Sequence, residues 1–210
     1  MPTRVYLIRH GITVDADQRR YKGHIDVPLS EAGVRQAAAL AEFIRNLDGR
    51  DGTAPLSRIF CSNLIRAVKT AETIAKPFGI TPEPVQTLCE RHFGHWEGMT
   101  FDEIKAAYPK EFAGWAGNPH TFSPVGGEST QDTADRALPA FYGIIKGRKD
   151  ETTAVVAHGG INRVILCDIL GVPLSHIFRV EQDYACINVI DFYDGVPVVK
   201  LLNYSTGLCP

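Results

Sequence analysis

The sequence has no excess of either charge, no paired-cysteine motif, no internal repeat and no low-complexity segment. Lys and Arg number 22 against 24 Asp and Glu, a formal charge of −2. That argues against a nucleic-acid-binding surface, which needs a clear basic excess, and leaves room only for a local basic pocket. The five cysteines (Cys61, Cys89, Cys167, Cys186, Cys209) are scattered, with neither a C-x-x-C pair nor zinc-type Cys/His spacing. A reduced, cytoplasmic setting is therefore expected. Near the start, the apolar run Val5-Tyr6-Leu7-Ile8 is broken at once by Arg9 and His10. It is too short for a signal peptide's apolar region or a membrane span, so no membrane partner is expected.

What is present is ordinary globular sequence: 210 residues, 44% hydrophobic and 22% charged. That suits one fairly large domain over residues 1–210 with a sizeable core. Strand-like runs at Arg4 to Ile8, Arg58 to Cys61 and Thr153 to Ala157 alternate with helical patterns. One helix is expected after an N-cap at Ser30, one over Ala67 to Ala75 ending before Pro77, and one over Gly160 to Leu170 closed by Gly171. Residues 48–57 form a loop. A capping box, Ser129-x-x-Asp132, opens a further helix, in which Pro139 predicts a kink. Ile187 to Tyr193 and Val196 to Leu202, joined by Asp194-Gly195, form a hairpin. Between about 91 and 128 the pattern weakens to short helices (Phe101 to Ala107, Pro109 to Trp115) and a loop, as in an insertion near a site. The expected fold is an α/β sandwich of three layers, αβα, around a mostly parallel sheet with an antiparallel edge strand.

Two strand ends share a layout. Val5 to Ile8 runs into Arg9-His10-Gly11, and Ala154 to Ala157 into His158-Gly159-Gly160. Ligands gather at the carboxyl ends of strands in open α/β sheets. Arg66 opens a helix where a cation is disfavoured by the dipole unless both face a bound anion. Arg9 adds a second guanidinium suited to phosphate oxygens. Glu90 precedes a stretch rich in aromatic, glycine and ionisable residues, where a carboxylic acid could protonate a leaving alkoxide. These parts fit phosphoryl transfer: His10 as nucleophile, Arg9, Arg66 and His158 as a clamp, Glu90 as acid and then as base for water.

The run Leu7-Ile8-Arg9-His10-Gly11-x-Thr13 resembles the histidine phosphatase superfamily, whose fold is phosphoglycerate-mutase-like. The similarity continues through Arg20-Tyr21-x-Gly23-His24-x-Asp26-x-Pro28-Leu29-Ser30, Ser62-x-x-x-Arg66-Ala67, Glu90 with Trp96-Glu97-Gly98, Gly126 to Ser129, and Val155 to Gly160. The resemblance implies the same five catalytic roles, a small phosphorylated substrate, and neither metal nor nucleotide cofactor. It places Gly11, Thr13, Lys22, Gly23 and Gly159 at the substrate. Ala16 stands where asparagine is common, Ile12 where glutamate is frequent, and Lys22 where glutamine or a small polar residue is common. Lys22 is a candidate to compensate for Ala16 with positive charge. Oligomeric state is open, a homodimer included.

A phosphoglycerate mutase is the nearest alternative, but the mutase lysine falls at Phe101 and no Arg-Arg pair follows, so a phosphatase is favoured. Gly126 to Ser129 and Phe178-Arg179-Val180-Glu181-x-x-Tyr184 are similar to α-ribazole-5′-phosphate phosphatases and to broad-specificity relatives. Trp96, Trp115, Phe93 and Phe122 could stack on an aromatic leaving group. A cysteine phosphatase needs Cys-x5-Arg, whereas only four residues separate Cys61 from Arg66. A metallohydrolase using His92, His95 and Asp15 or Asp17 lacks the helical His-x-x-x-His spacing. A catalytically silent binding module remains as the non-enzyme reading.

Overall fold

A computed structural model describes residues 1–47, 49 and 52–207. Asp48, Arg50 and Asp51 of the expected loop, and Cys209, lie outside the described residues.

Among the described residues, six strands form one sheet: β1 (Thr3–Arg9), β2 (Leu56–Cys61), β3 (Glu83–Pro84), β4 (Thr152–Ala157), β5 (Ile187–Tyr193) and β6 (Val196–Tyr204), in the order β3-β2-β4-β1-β5-β6. β3, β2, β4 and β1 are parallel, and β5 runs antiparallel to both β1 and β6. β1 and β4 are buried almost throughout, which is why they are continuous apolar runs rather than alternating ones. The hairpin turn at Asp194-Gly195 places both residues at positive φ, as a primed turn demands. Strand β3, with Pro84 on the sheet edge, was not expected from the sequence; two residues carry no periodicity.

Among the described residues, six α-helices flank the sheet or extend from it: α1 (Glu31–Leu47), α2 (Ile65–Ala75), α3 (Phe101–Ala107), α4 (Pro109–Gly117), α5 (Thr130–Ile145) and α6 (Gly159–Leu170). Ser30 Oγ accepts from the Gly33 amide at the start of α1, and Ser129 and Asp132 form the capping box of α5. α5 runs on through Pro139. Pro139 is on the exposed face, where water can take the carbonyl that the ring leaves without a helical donor. Side chains alternate across β1: Tyr6 and Ile8 pack with Leu40 and Ile44 of α1 and Ala71 and Ile74 of α2, while Val5 and Leu7 pack with Phe141 of α5 and Ile161 and Val164 of α6. These two cores make the three αβα layers. Among the described residues, no helix is long and apolar enough to cross a membrane.

One charged pair sits inside the sheet. Arg4 Nε and Nη2 donate to the two carboxylate oxygens of Asp191 at 2.7 and 2.8 Å, across the β1–β5 register, with both side chains buried. Removing one partner strands the other charge in a dry environment. Arg4→Met is therefore expected to lower unfolding stability by about 3–5 kcal/mol, read as a fall in the urea midpoint at constant slope.

Candidate active site

The pairing of β1 with β4 sets Arg9 opposite Ala157, so the next residues, His10 and His158, emerge side by side at the carboxyl end of the sheet. Their rings stand 5.1 Å apart at 63°. The His10 amide donates to Ala157 O, and its carbonyl accepts from the Ala185 amide, which fixes the backbone on both sides. Nδ1 of His10 lies 2.8 Å from Gly11 O. A carbonyl only accepts, so Nδ1 carries the proton and Nε2 is left with its lone pair. Burial, with Arg66 and Arg9 alongside, pulls the His10 pKa well below its ordinary 6.5. The imidazole is neutral over the physiological range.

Arg66 enters from the first turn of α2 and is almost completely buried. Nη1 donates to Ile25 O and Nη2 to Gly23 O, at 2.9 and 2.7 Å. The N-terminus of α2 is not wholly free for a ligand, because the Ile65 amide donates to Asp26 Oδ1. Burial lowers the Arg66 pKa, and Glu90 and Asp26 oppose that fall. Arg9 sits over the Tyr184 ring at 3.8 Å and donates from Nη1 to Gln182 O at 2.6 Å. Its Nε is buried and has no hydrogen-bond partner among the described residues. The same is true of His158 Nδ1, while His158 Nε2 lies 2.7 Å from Ser62 Oγ. Burial and Arg66 also keep the His158 pKa well below 6.5. The fixed positive charge therefore rests with the arginines, and His158 offers a neutral ring nitrogen.

Glu90 is held by two backbone amides. Oε1 accepts from the Arg91 amide at 2.8 Å and Oε2 from the Gly160 amide, in the first turn of α6, at 3.1 Å. Each oxygen retains a further lone-pair site for a proton. A Cβ on Gly160 would fall 2.5 Å from Glu90 Oε1, so glycine is required for this approach.

Most of these groups line one cavity of about 230 Å³, whereas His158 is completely buried behind its wall. His10, Arg9, Arg66, Glu90, Lys22, Gly23 and Gly159 are all in its wall. Among the described residues its lining includes six cationic side chains (Arg9, Arg20, Lys22, Arg66, Arg91, Arg163) and one carboxylate, Glu90. Gly11 and Thr13 stand behind the wall. The Gly11 amide donates to Thr70 Oγ1, and a Cβ there would meet Gly33 O at 2.5 Å, so its glycine serves packing of the loop against α1. Thr13 Oγ1 accepts from Lys22 Nζ at 2.6 Å. Ala16 is in a short 3-10 turn outside the lining.

The outer wall is aromatic. Trp96, Trp115 and Phe93 line it as expected, whereas Phe122 stacks behind Trp96 at 5.5 Å. Sequence reasoning gave no site role to Arg91 or Arg163, nor to Tyr21 and Phe178, which it named only within the runs that carry the resemblance. Arg91 is buried and held by Glu128 O, Thr130 Oγ1 and Phe122 O, which ties the 91–128 segment to α5. Only the unusual density of ionisable and aromatic residues after Glu90 hinted at it. Cys61 lies in the apolar core under α2, its thiol pushed up to about 12 by burial. His95 Nε2 is 3.1 Å from Glu111, and the His92 ring packs on His24. Among the described residues, no three His, Cys, Asp or Glu side chains gather as a metal would require.

Comparison with known proteins agrees with this geometry. A family model described as histidine phosphatase superfamily (branch 1) matches residues 5–205. The chain is 33% identical over 205 residues to the Bifunctional protein Rv2228c of Mycobacterium tuberculosis, covering 97% of this chain and 54% of that protein. It thus spans about half the length of that curated relative. It is 29% identical over 203 residues to the Adenosylcobalamin/alpha-ribazole phosphatase of Salmonella typhimurium, covering 95% and 96% of the two chains. The solved structure of Bacillus stearothermophilus YhfR superposes with a TM-score of 0.87 at 30% identity, covering 98% of this chain and 99% of that one.

Proposed function

The chain belongs to the histidine phosphatase superfamily, and on that premise we propose that it is a metal-independent phosphomonoesterase acting through a phosphohistidine on His10. The observation that carries the reading is the His10 ring. Its Nδ1 is tethered to Gly11 O, its Nε2 is unprotonated, and two guanidiniums flank it, that of Arg66 buried and that of Arg9 half-buried. Like charges held close together repel, and an anion between them removes that penalty.

In the first step, His10 Nε2 attacks phosphorus in line and the P–O ester bond breaks. The proton of the Glu90 carboxyl goes to the departing oxygen. Arg9, Arg66 and the His158 ring hydrogen-bond the phosphoryl oxygens as charge spreads over them. In the second step, the Glu90 carboxylate takes a proton from water as that oxygen attacks phosphorus. The P–N bond breaks, inorganic phosphate leaves and His10 is regenerated.

For the substrate, we propose a small phosphate ester with an apolar or aromatic alcohol. The outer cations are already engaged: Arg20 with Glu103, Arg163 with Glu181 and Val180 O, and Arg91 with its three oxygens. That leaves Trp96, Trp115, Phe93 and Phe178 to meet the leaving group. α-Ribazole 5′-phosphate is one candidate of this kind, supported by the Salmonella relative. Within this reading the chain is one domain, 1–210, with residues 91–128 as an insertion that supplies the aromatic wall. The described cysteines are free, which suits a cytoplasmic setting.

Lys22 donates to Thr13 Oγ1 and Val14 O while lining the cavity. In this reading it supplies the charge that Ala16 lacks. Lys22→Ala is expected to raise KM for phosphate esters roughly fivefold, the equivalent of about 1 kcal/mol, with kcat changing less. Unchanged KM across a substrate panel would show that Lys22 only orders the loop. The activity itself is tested by hydrolysis of p-nitrophenyl phosphate, α-ribazole 5′-phosphate, 3-phosphoglycerate and sugar phosphates in excess chelator. Turnover that survives the chelator supports the reading; turnover lost with it would point to a metal. Interconversion of phosphoglycerates without net hydrolysis would point to a mutase.

A further inference from the structure

Behind the cavity lies a buried cluster of amides. Gln182 and Asn188 are fully buried, as is Asn162 of α6. Gln182 Nε2 donates to Glu181 O at 2.7 Å and to Asn188 Oδ1 at 2.9 Å. Gln182 Oε1 accepts from Asn188 Nδ2 at 2.8 Å and from Asn162 Nδ2 at 3.3 Å. Asn188 Nδ2 also donates to Leu7 O of β1, and Asn188 Oδ1 accepts from the Asn203 amide of β6. The Gln182 side chain thus ties its turn to β5 and α6 directly, and through Asn188 to β1 and β6. The Gln182 and Asn188 amides are paired at both ends and therefore rigid, because every alternative position leaves polar groups unpaired; Asn162 Oδ1 has no partner among the described residues.

The main chain of this turn does two things in the cavity. Gln182 O accepts from Arg9 Nη1 at 2.6 Å, and two residues on, Tyr184 lies under the Arg9 guanidinium and 5.6 Å from the His10 ring. Arg9 is thereby fixed at one Nη and across its face, while its Nε is the buried donor without a partner among the described residues. Gln182 itself is not in the cavity wall.

We propose that Gln182 is a positioning residue for phosphoryl transfer, acting through Arg9: its side-chain network holds the turn whose carbonyl and tyrosine aim the guanidinium at the phosphoryl group. This rests on the phosphohistidine reading above. A guanidinium held in advance needs no reorganisation as charge develops, so loosening it weakens the transition state more than the ground state.

The test is a double-mutant cycle on the full chain with p-nitrophenyl phosphate, comparing Gln182→Leu, Arg9→Ala and the double variant, with orthovanadate inhibition as a second readout. Gln182→Leu is expected to lower kcat and vanadate affinity by about tenfold or more, with KM moving less, as loss of a preorganised donor does. In the Arg9→Ala background the same change is expected to cost nearly nothing further. Equal losses in both backgrounds, or a loss in KM alone, would overturn the proposal. If Gln182→Leu does not fold, Asn162→Ala removes one bond of the cluster and runs through the same cycle with the same two outcomes. A parent that hydrolyses no ester would overturn both this inference and the phosphatase reading. A parent that turns over with variants unaffected would overturn the inference alone.

Discussion

Replacing His10 with alanine is expected to lower kcat for p-nitrophenyl phosphate on the order of 10⁴–10⁶-fold, the scale seen when a covalent nucleophile is removed. The fold should survive, since alanine fits where the imidazole stood and the bonds of the His10 backbone to Ala157 and Ala185 remain. The same ring dictates a pH profile. Its pKa lies well below 6.5, so the attacking nitrogen is unprotonated throughout the neutral range. The acid limb of kcat/KM is therefore expected below pH 6.5, not centred on it. Stability behaves in a linked way. As pH falls below 6.5, the unfolded chain binds protons on His10 and His158 that the native state refuses. Unfolding free energy consequently decreases from pH 6.5 downward until the depressed native values are reached. Denaturant midpoints measured at pH 7 and pH 5 check that direction. In His10→Ala the dependence should be shallower, with His158 still contributing.

In the proposed mechanism Glu90→Gln removes the proton donor and the base for water; its single amide oxygen can keep one of the two backbone contacts, Arg91 N or Gly160 N, and its NH2 cannot accept from the other. For an alkyl phosphate, whose alkoxide is a poor leaving group, both steps slow, and kcat is expected to fall about 10²–10⁴-fold, the usual worth of a positioned acid or base. No burst of alcohol should precede the steady state. For p-nitrophenyl phosphate the leaving group needs little protonation, so only hydrolysis of the phosphoenzyme is impaired. A burst of p-nitrophenol close to one per chain is then expected, followed by slow turnover. Equal slowing of both substrates without a burst would place Glu90 in binding rather than in proton transfer.

The parts of the site that were legible in the sequence are those in which a short run determines both local structure and position. β1 and β4 are apolar runs that end in His10 and His158, and neighbouring parallel strands bring such ends together whatever the rest of the chain does. Arg66 and the Ser129 capping box carry their own local signals for the same reason. Gln182, Tyr184 and Arg163 carry none. Arg9 and Gln182 meet across a separation of 173 residues, and the chemistry of Gln182 is visible only once Asn188 and Asn162 surround it. The Asp26 cap on α2 bridges 39 residues and was hidden likewise. Gly11 misled in the other direction. A glycine after a candidate nucleophile suggests backbone approach to a ligand, but this one clears Gly33 of α1.

The central claim is a covalent bond between phosphorus and His10 Nε2. Glu90→Gln, mixed with p-nitrophenyl phosphate in excess chelator and quenched during the burst, should carry acid-labile, alkali-stable phosphate approaching one per chain. Peptide mass spectrometry should place it on His10. Phosphate on another side chain, Cys61 included, or a burst with no protein-bound phosphate, would contradict the account.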